Sequence, residues 1–317
     1  MNILVTGAAG FIGSHVAEAL LARGDTVSGL DNFNDYYSPA RKRANAAILG
    51  AFPRFTLHEV DLRDAEAVER VCAEGRFDAV IHLGAMANVR YSIERAPLYV
   101  DVNVRGTVNV LEAARKAGTP HVVFASTSSV YGRTDRIPFR EEDPAIAPLA
   151  PYPATKLAAE MMGHTYHNLF ALSFTALRFF SVYGPRGRPD MMPYIVTDAI
   201  VHGKEFQLYD AGEMYRDWTF IADIVSGVMA AADRPLGYQV INLGRGEPVR
   251  MADFVTLIEG LVGQPAQMTT PPAPSSEPPI TFADISKAQR LLDYAPQTSV
   301  AEGMARFWEW YQAEMVK

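Results

Sequence analysis

Tyr152 and Lys156 stand four residues apart in Tyr152-Pro-Ala-Thr-Lys156, a spacing that puts both on one face of a helix. A free tyrosine titrates near ~10, too high for a base at neutral pH. A neighbouring ammonium favours the phenolate. Thr127 lies upstream in Ala125-Ser-Thr-Ser-Ser-Val-Tyr131-Gly132. Its hydroxyl can orient an alcohol and share its proton. This trio suits proton removal from a secondary alcohol coupled to hydride transfer. Tyr-x-x-x-Lys alone occurs by chance in many helices, so the surrounding chain carries the weight.

A hydride acceptor is suggested at the start of the chain. The run Gly7-Ala-Ala9-Gly10-Phe11-Ile12-Gly13 follows an apolar segment and precedes a helical pattern. Glycines there let the backbone turn tightly against a pyrophosphate, and the helix N-terminus offers free N–H groups. Asp31 ends the next apolar segment, where a carboxylate accepts from an adenosine ribose and repels a 2′-phosphate. NAD is therefore expected over NADP, its positive ring adding to the lysine's effect on Tyr152. Asp61-Leu62 follows the third apolar segment and can meet adenine. The expected cofactor contacts are Gly7, Ala9, Gly10, Phe11, Ile12, Gly13, Asp31, Asn32, Asp61, Leu62, Leu83, Ala85, Tyr152 and Lys156.

Short apolar runs, expected as strands, are Ile3–Thr6, Thr26–Leu30, Phe55–Val60, Ala79–Leu83, His121–Ala125 and Phe174–Phe179. They are rich in Val, Ile, Leu and Phe, as in strands buried on both faces of a parallel sheet. Helical patterns fall at about 11–23, 64–74, 98–117 and 152–170. This alternation predicts a doubly wound α/β sheet. After about residue 184 the texture changes, with helices expected at about 190–203, 222–232, 251–262 and 299–315 and a strand at Tyr238–Leu243. The proline-rich stretch 265–279 reads as an extended loop. The expected fold is a Rossmann-type doubly wound parallel sheet with a smaller, mixed α/β C-terminal substrate lobe. Residues 1–184 form the NAD-binding domain, completed by segments within about 218–244, and 185–317 mainly the second lobe.

Composition narrows the class. The 317 residues are 49% hydrophobic and 21% charged, ordinary globular usage with enough chain for a sizeable core. A net charge of −7 gives no basic field for nucleic acid or anionic lipid. Cys72 is the only cysteine, which excludes an intrachain disulfide and a cysteine-based metal site. No apolar run reaches the ~18 residues of a membrane span, and no basic lead precedes an apolar stretch at the N-terminus. A cytoplasmic enzyme without a metal is expected.

The motifs together resemble the extended short-chain dehydrogenase/reductases, specifically the NAD-dependent nucleotide-sugar epimerase/dehydratase group, over essentially the whole chain. Within it the sequence most resembles the UDP-glucuronate 4-epimerases. The residues carrying this are Asp31-Asn-Phe-Asn-Asp-Tyr-Tyr37, Val89-Arg-Tyr-Ser92, Leu177-Arg-Phe-Phe180, Arg216-Asp217 and Ala283-Asp284, and most specifically Gly187-Arg188-Pro189-Asp190-Met191. The resemblance implies C4 oxidation of a UDP-sugar by tightly bound NAD+, rotation of the 4-keto sugar, and return of the hydride to its other face. Dehydratases of the group carry an Asp-Glu pair after the threonine and decarboxylases a glutamate. Ser128-Ser129 stands there instead and cannot do that work.

By resemblance, Arg188 with Ser128 and Ser181 meets the uronate carboxylate, and Ser129 lies beside them. Arg216 meets the diphosphate and Gln207 lies near uracil. Arg90 serves the sugar or phosphate, or fixes its own loop. Glu277, in Ser276-Glu277 where relatives show Gly-Asp, falls at the ribose. Asn88 replaces a usual small residue beside the sugar. Thr127, Tyr152 and Lys156 are the catalytic set, and Thr127 and Tyr152 also touch the sugar. The helices near 98–117 and 152–170 suggest a four-helix contact in a homodimer. The alternatives are a UDP-glucose/UDP-galactose 4-epimerase, which has no need of Arg188, a UDP-glucuronate decarboxylase, and a non-catalytic NAD-binding sensor.

Overall fold

The computed structural model describes residues 1–145 and 147–315. The strands are β1 Asn2–Thr6, β2 Thr26–Asp31, β3 Phe55–Glu59, β4 Ala79–His82, β5 His121–Thr127, β6 Ser173–Phe179, β7 Ser181–Tyr183, β8 Glu205–Gln207, β9 Tyr215–Phe220, β10 Tyr238–Leu243, β11 Pro248–Arg250, β12 Gln267–Thr269 and β13 Ile280–Thr281. Seven of them make one sheet in the order β10-β6-β5-β4-β1-β2-β3. Every pairing in it is parallel.

The helices are α1 Phe11–Arg23, α2 Pro39–Gly50, α3 Ala65–Gly75, α4 Val89–Ile93, α5 Ala96–Tyr99, α6 Gly106–Ala117, α7 Pro151–Phe170, α8 Met192–Val201, α9 Ile221–Ala232, α10 Met251–Val262, α11 Ser286–Leu292 and α12 Val300–Met315. Helices cover the large sheet on both faces. Val16, Leu20, Ile224 and Val228 of α1 and α9 pack in one cluster, and Val68, Val71, Val110, Leu111 and Ala159 of α3, α6 and α7 in another. Buried on both sides, β1, β4, β5 and β6 have no room for polar alternation.

The strand order reverses between β1 and β4, leaving a crevice beyond their carboxyl ends. Gly7, just after β1, has φ +69°, and a Cβ on it would lie 2.8 Å from the Gly84 Cα. A smaller assembly joins β11, β9, β13 and β7. It hangs beside the crevice and presents Arg216.

Several elements differ from expectation. β3 is the edge strand of the large sheet, and its side chains are largely exposed. The helical pattern at 98–117 is broken into α5, a π-helical turn Val100–Arg105, and α6. The stretch 265–279 is not wholly loop, since β12 pairs with β8. The expectation missed α2, α4, α11 and the short strands β7, β8, β9, β11 and β13. No helix among the described residues is long and apolar enough to cross a membrane.

Candidate active site

A cavity of about 320 Å³ opens at the crevice. Gly7, Gly10, Phe11, Ile12, Gly13, Asp31, Asn32, Asp61, Leu62, Leu83, Ala85, Tyr152 and Lys156 all line it. Ala9 does not. It is fully buried behind the wall, and its N–H donates to Asp31 Oδ2 at 3.0 Å. Asp31 Oδ1 accepts from the Phe33 N–H at 2.9 Å, so backbone amides hold the carboxylate at the cleft. Burial nevertheless pushes its pKa up. Asp61 is fixed differently: Arg63 donates Nε and Nη2 to it at 2.9 and 2.7 Å, and the Arg63 hydrogen bond holds its pKa well below the usual range.

The α1 N-terminus faces this cleft with no side chain capping it. A Cβ on Gly13 would lie 2.0 Å from the Gly7 carbonyl oxygen. The space a side chain would fill, the open helix end and the carboxylate ending β2 fit a dinucleotide. When bound, NAD supplies the hydride-accepting ring.

Tyr152 enters α7 in its first turn behind Pro151, where proline's missing N–H costs nothing. Its N–H donates to Ser92 Oγ at 3.1 Å. One turn on, buried Lys156 donates to the Ala125 carbonyl at 2.8 Å and lies 4.7 Å over the Phe124 ring. Burial brings its pKa down to about 7, against an opposing pull from Glu160.

Tyr152 departs from the sequence expectation. Burial raises its pKa, and the groups opposing this are Arg188 and then the Thr127 hydroxyl. Lys156 gives one of its three donors to the Ala125 carbonyl, and the cation acting on Tyr152 here is the arginine. Thr127 ends β5, with Oγ1 accepting from the Ser129 N–H at 3.2 Å.

A second cavity, of about 370 Å³, adjoins the first and shares Phe11, Ile12, Ser126, Tyr152, Phe179 and Arg188 with it. Arg90, Thr127, Ser128, Ser129, Tyr152, Ser181, Arg188, Gln207, Arg216 and Glu277 all line it. Its arginines are paired with carboxylates of the protein. Arg188 donates Nε and Nη2 to Asp190 at 2.9 and 2.7 Å. Asp190 Oδ2 also accepts from the Tyr36 hydroxyl and from Asn88 Nδ2, each at 2.8 Å. Glu277 accepts from Arg90 Nη2 and Arg216 Nη2, both at 3.0 Å. Both Glu277 oxygens therefore face arginines, not an open ribose site.

Asn88 has φ +81° and ψ 118°. Its Oδ1 accepts from the Tyr91 N–H at 3.0 Å, capping α4. Sequence reasoning missed Tyr36 and Asp190 as site residues. Asp190 sits two positions after Arg188 and was legible as an ion-pair partner. Tyr36 comes from the distant loop after β2 and carries no such local signal.

A dinucleotide cleft joined to a Tyr–Lys–Thr pocket rimmed by arginines defines an α/β enzyme of alcohol–ketone chemistry. The chain belongs to the NAD dependent epimerase/dehydratase family, whose model matches residues 3–244. It is 42% identical to UDP-glucuronate 4-epimerase 4 of Arabidopsis thaliana over 98% of this chain and 75% of that protein. Among solved structures it resembles UDP-glucuronic acid 4-epimerase from Bacillus cereus in complex with UDP-glucuronic acid and NAD, with TM-score 0.93, 34% identity and 99% of each chain covered. It also resembles a UDP-glucose 4-epimerase from Thermotoga maritima bound to UDP-glucose, with TM-score 0.91, 28% identity and 99% of each chain covered.

Proposed function

We propose that this chain is an NAD-dependent isomerase interconverting UDP-glucuronate and UDP-galacturonate at C4. The observation that carries it is the single junction where Tyr152 and Arg188 line both cavities. Tyr152, opposed in its burial by Arg188 and Thr127, takes the C4 hydroxyl proton as the hydride leaves C4. The 4-keto sugar turns in the pocket, the hydride returns to its other face, and Tyr152 returns the proton. Redox balances within one turnover, so NAD stays bound and no external oxidant is consumed.

Ser128, Ser129 and Ser181 supply hydroxyls to the carboxylate. Arg188 keeps Nη1 free of protein hydrogen bonds among the described residues and adds a charged donor. A 4-keto uronate is a β-keto acid, and a fixed, charge-paired carboxylate resists loss as CO2. Asp61 and Leu62 hold adenine, Asp31 and Asn32 the adenosine ribose, and Arg90 and Arg216 the diphosphate. Gln207 lies at uracil, and Glu277 tempers the charge beside the diphosphate by pairing with Arg90 and Arg216.

Purified protein given UDP-glucuronate or UDP-glucose, with products resolved by NMR, tests the substrate. Accumulation of UDP-galacturonate with little UDP-pentose is expected. Conversion of UDP-glucose alone would replace this reading with the neutral-sugar epimerase.

Arg188→Ala leaves Asp190 without its cation. It is expected to lower kcat/KM for UDP-glucuronate by about a hundredfold or more, the scale of breaking a buried charge pair, and to raise the UDP-pentose fraction. Equal losses on both sugars would show that Arg188 does not read the carboxylate.

Glu277→Gln releases Arg90 and Arg216 from their shared carboxylate. UDP binding by titration calorimetry is expected to tighten about threefold to tenfold at low salt, the gain shrinking as salt screens it. Weaker binding would assign Glu277 mainly to the ribose.

The chain works as a cytoplasmic homodimer in this reading. Val100 is exposed on the π-helical turn before α6, and Met161, Leu169 and Phe170 are exposed on α7, which supports a helix-to-helix contact between two copies. Sedimentation at twice the chain's mass is the expected result.

A further inference from the structure

Glu160 lies on α7 one turn beyond Lys156, on the same helix face, and is fully buried. A buried carboxylate must be paired and hydrogen-bonded to persist. Arg178 of β6 donates Nε and Nη2 to its two oxygens at 3.0 and 2.7 Å, and Ser126 of β5 donates its hydroxyl at 2.5 Å. Arg178 lies 4.6 Å over the Tyr131 ring, with Nη1 buried and without a hydrogen-bond partner among the described residues. Buried pairs of this kind are often replaced by apolar groups without loss of stability, so stability is a weak reason for it. Its surroundings supply a better one. Ser126 lines both cavities. It sits between Thr127 and Ala125, whose carbonyl accepts from Lys156.

We infer that Glu160 is a positioning residue of the reaction. Its carboxylate, one turn from Lys156 on the same helix face, holds Ser126 and so fixes the strand end that presents Thr127 and the Ala125 carbonyl. The inference rests on the catalytic reading of Tyr152 and Lys156.

The charged and titratable groups around the pair are few. From β4, His82 faces Lys156 and is neutral, brought down to about 3 by burial and then by the Lys156 charge. From β5, Phe124 offers only its ring face. Glu160 is the anion acting on Lys156. Around Glu160 itself stand Arg178 from β6, Tyr131 after β5, and Tyr238 from β10, its phenol pushed up to about 12 by burial and then by Glu160. Removing the Glu160 charge leaves burial unopposed at Lys156, so the lysine loses its proton at lower pH.

Glu160→Gln keeps the shape and an acceptor for Ser126 but removes the charge. In NAD-loaded enzyme the alkaline limb of the kcat profile is expected to move down by about one pH unit, a loss of about tenfold in kcat well above the midpoint. KM for UDP-glucuronate stays within about twofold, as for an interaction that acts on turnover and not on ground-state binding. Glu160→Asp, which keeps the charge, returns the limb toward wild type.

Should Gln unfold the chain by stranding Arg178, the double variant E160Q/R178M removes both charges. Its limb also lies below wild type. A limb unmoved in the folded variant, with only thermal stability reduced, overturns the inference. Tyr152→Phe on the same substrate separates the two readings. If that variant stays active, the catalytic reading falls. If it is inactive while the Glu160→Gln limb is unmoved, only the role of Glu160 falls.

Discussion

Tyr152→Phe is expected to lower kcat for UDP-glucuronate by about a thousandfold, within the range for losing a positioned acid–base group. The phenol is the one titratable hydroxyl that lines both cavities beside Thr127. Phenylalanine keeps the ring and its packing against Tyr99, at 6.2 Å between centroids. KM should therefore change little, and the variant should retain NAD to the same extent as wild type. Steady-state kinetics with the cofactor content measured on the same sample checks both parts. A variant retaining a tenth of the activity would move the acid–base role elsewhere. Thr127 and Arg188, which oppose the rise in the Tyr152 pKa, then become the groups to substitute.

Gly13→Ala is expected to abolish cofactor retention. The new Cβ would lie 2.0 Å from the Gly7 oxygen and 2.8 Å from the Gly7 carbonyl carbon. Both are backbone atoms of the turn that approaches the pyrophosphate, so the turn or α1 must shift. Overpacking of this kind costs about 1–3 kcal/mol, a drop of several degrees in Tm. Loss of the bound dinucleotide adds to that by mass action. Absorbance of the purified protein, after denaturation and an assay for released NAD, reads the first effect. Calorimetry reads the second. Gly260→Ala is the control, since nothing lies within 4 Å of that position. Gly260 lies in the last turn of α10, where alanine should stabilise by at most about 0.5–1 kcal/mol. If Gly13→Ala kept its NAD, the turn would not be the pyrophosphate cradle.

The inner strands of the large sheet were legible because they are buried on both faces. β1, β4 and β5 each carry an apolar run (Ile3–Val5, Ala79–Ile81 and Val122–Ala125), β6 reads through Thr175 and Arg178, and the glycine turn marks where the first of them ends. The small assembly was not legible. β9 reads Tyr-Arg-Asp-Trp-Thr-Phe, where Asp217 is buried and its carboxylate accepts from the Arg245, Gly246 and Ala283 N–H groups. Those partners are remote in sequence, so the strand has no local signature. α2 was hidden by Arg41, Lys42 and Arg43, which dilute its apolar stripe. Lys42 is nonetheless buried and donates to the Asn34 carbonyl at 2.7 Å.

The π-helical turn also escaped a periodic reading. There Asn103 uses its amide on both the N–H and the carbonyl of Met86, at 2.8 and 2.9 Å, which a regular helix pattern does not announce. In the site, residue types and spacing pointed to the Gly7–Gly13 turn, Asp31 and the Thr127, Tyr152 and Lys156 set, and the family resemblance supplied the sugar- and diphosphate-side residues. What they left open was pairing: that Asp190 claims Arg188, and that Glu277 joins Arg90 to Arg216.

The central claim is that one hydride leaves C4 and the same hydride returns. The most direct test uses UDP-glucuronate carrying deuterium at C4, incubated with the NAD-loaded enzyme in ordinary water with no free cofactor. UDP-galacturonate that keeps its deuterium at C4, with little UDP-pentose, is the expected product. Product carrying hydrogen at C4 would contradict the claim, because C4 would then have exchanged with solvent and not through the bound cofactor.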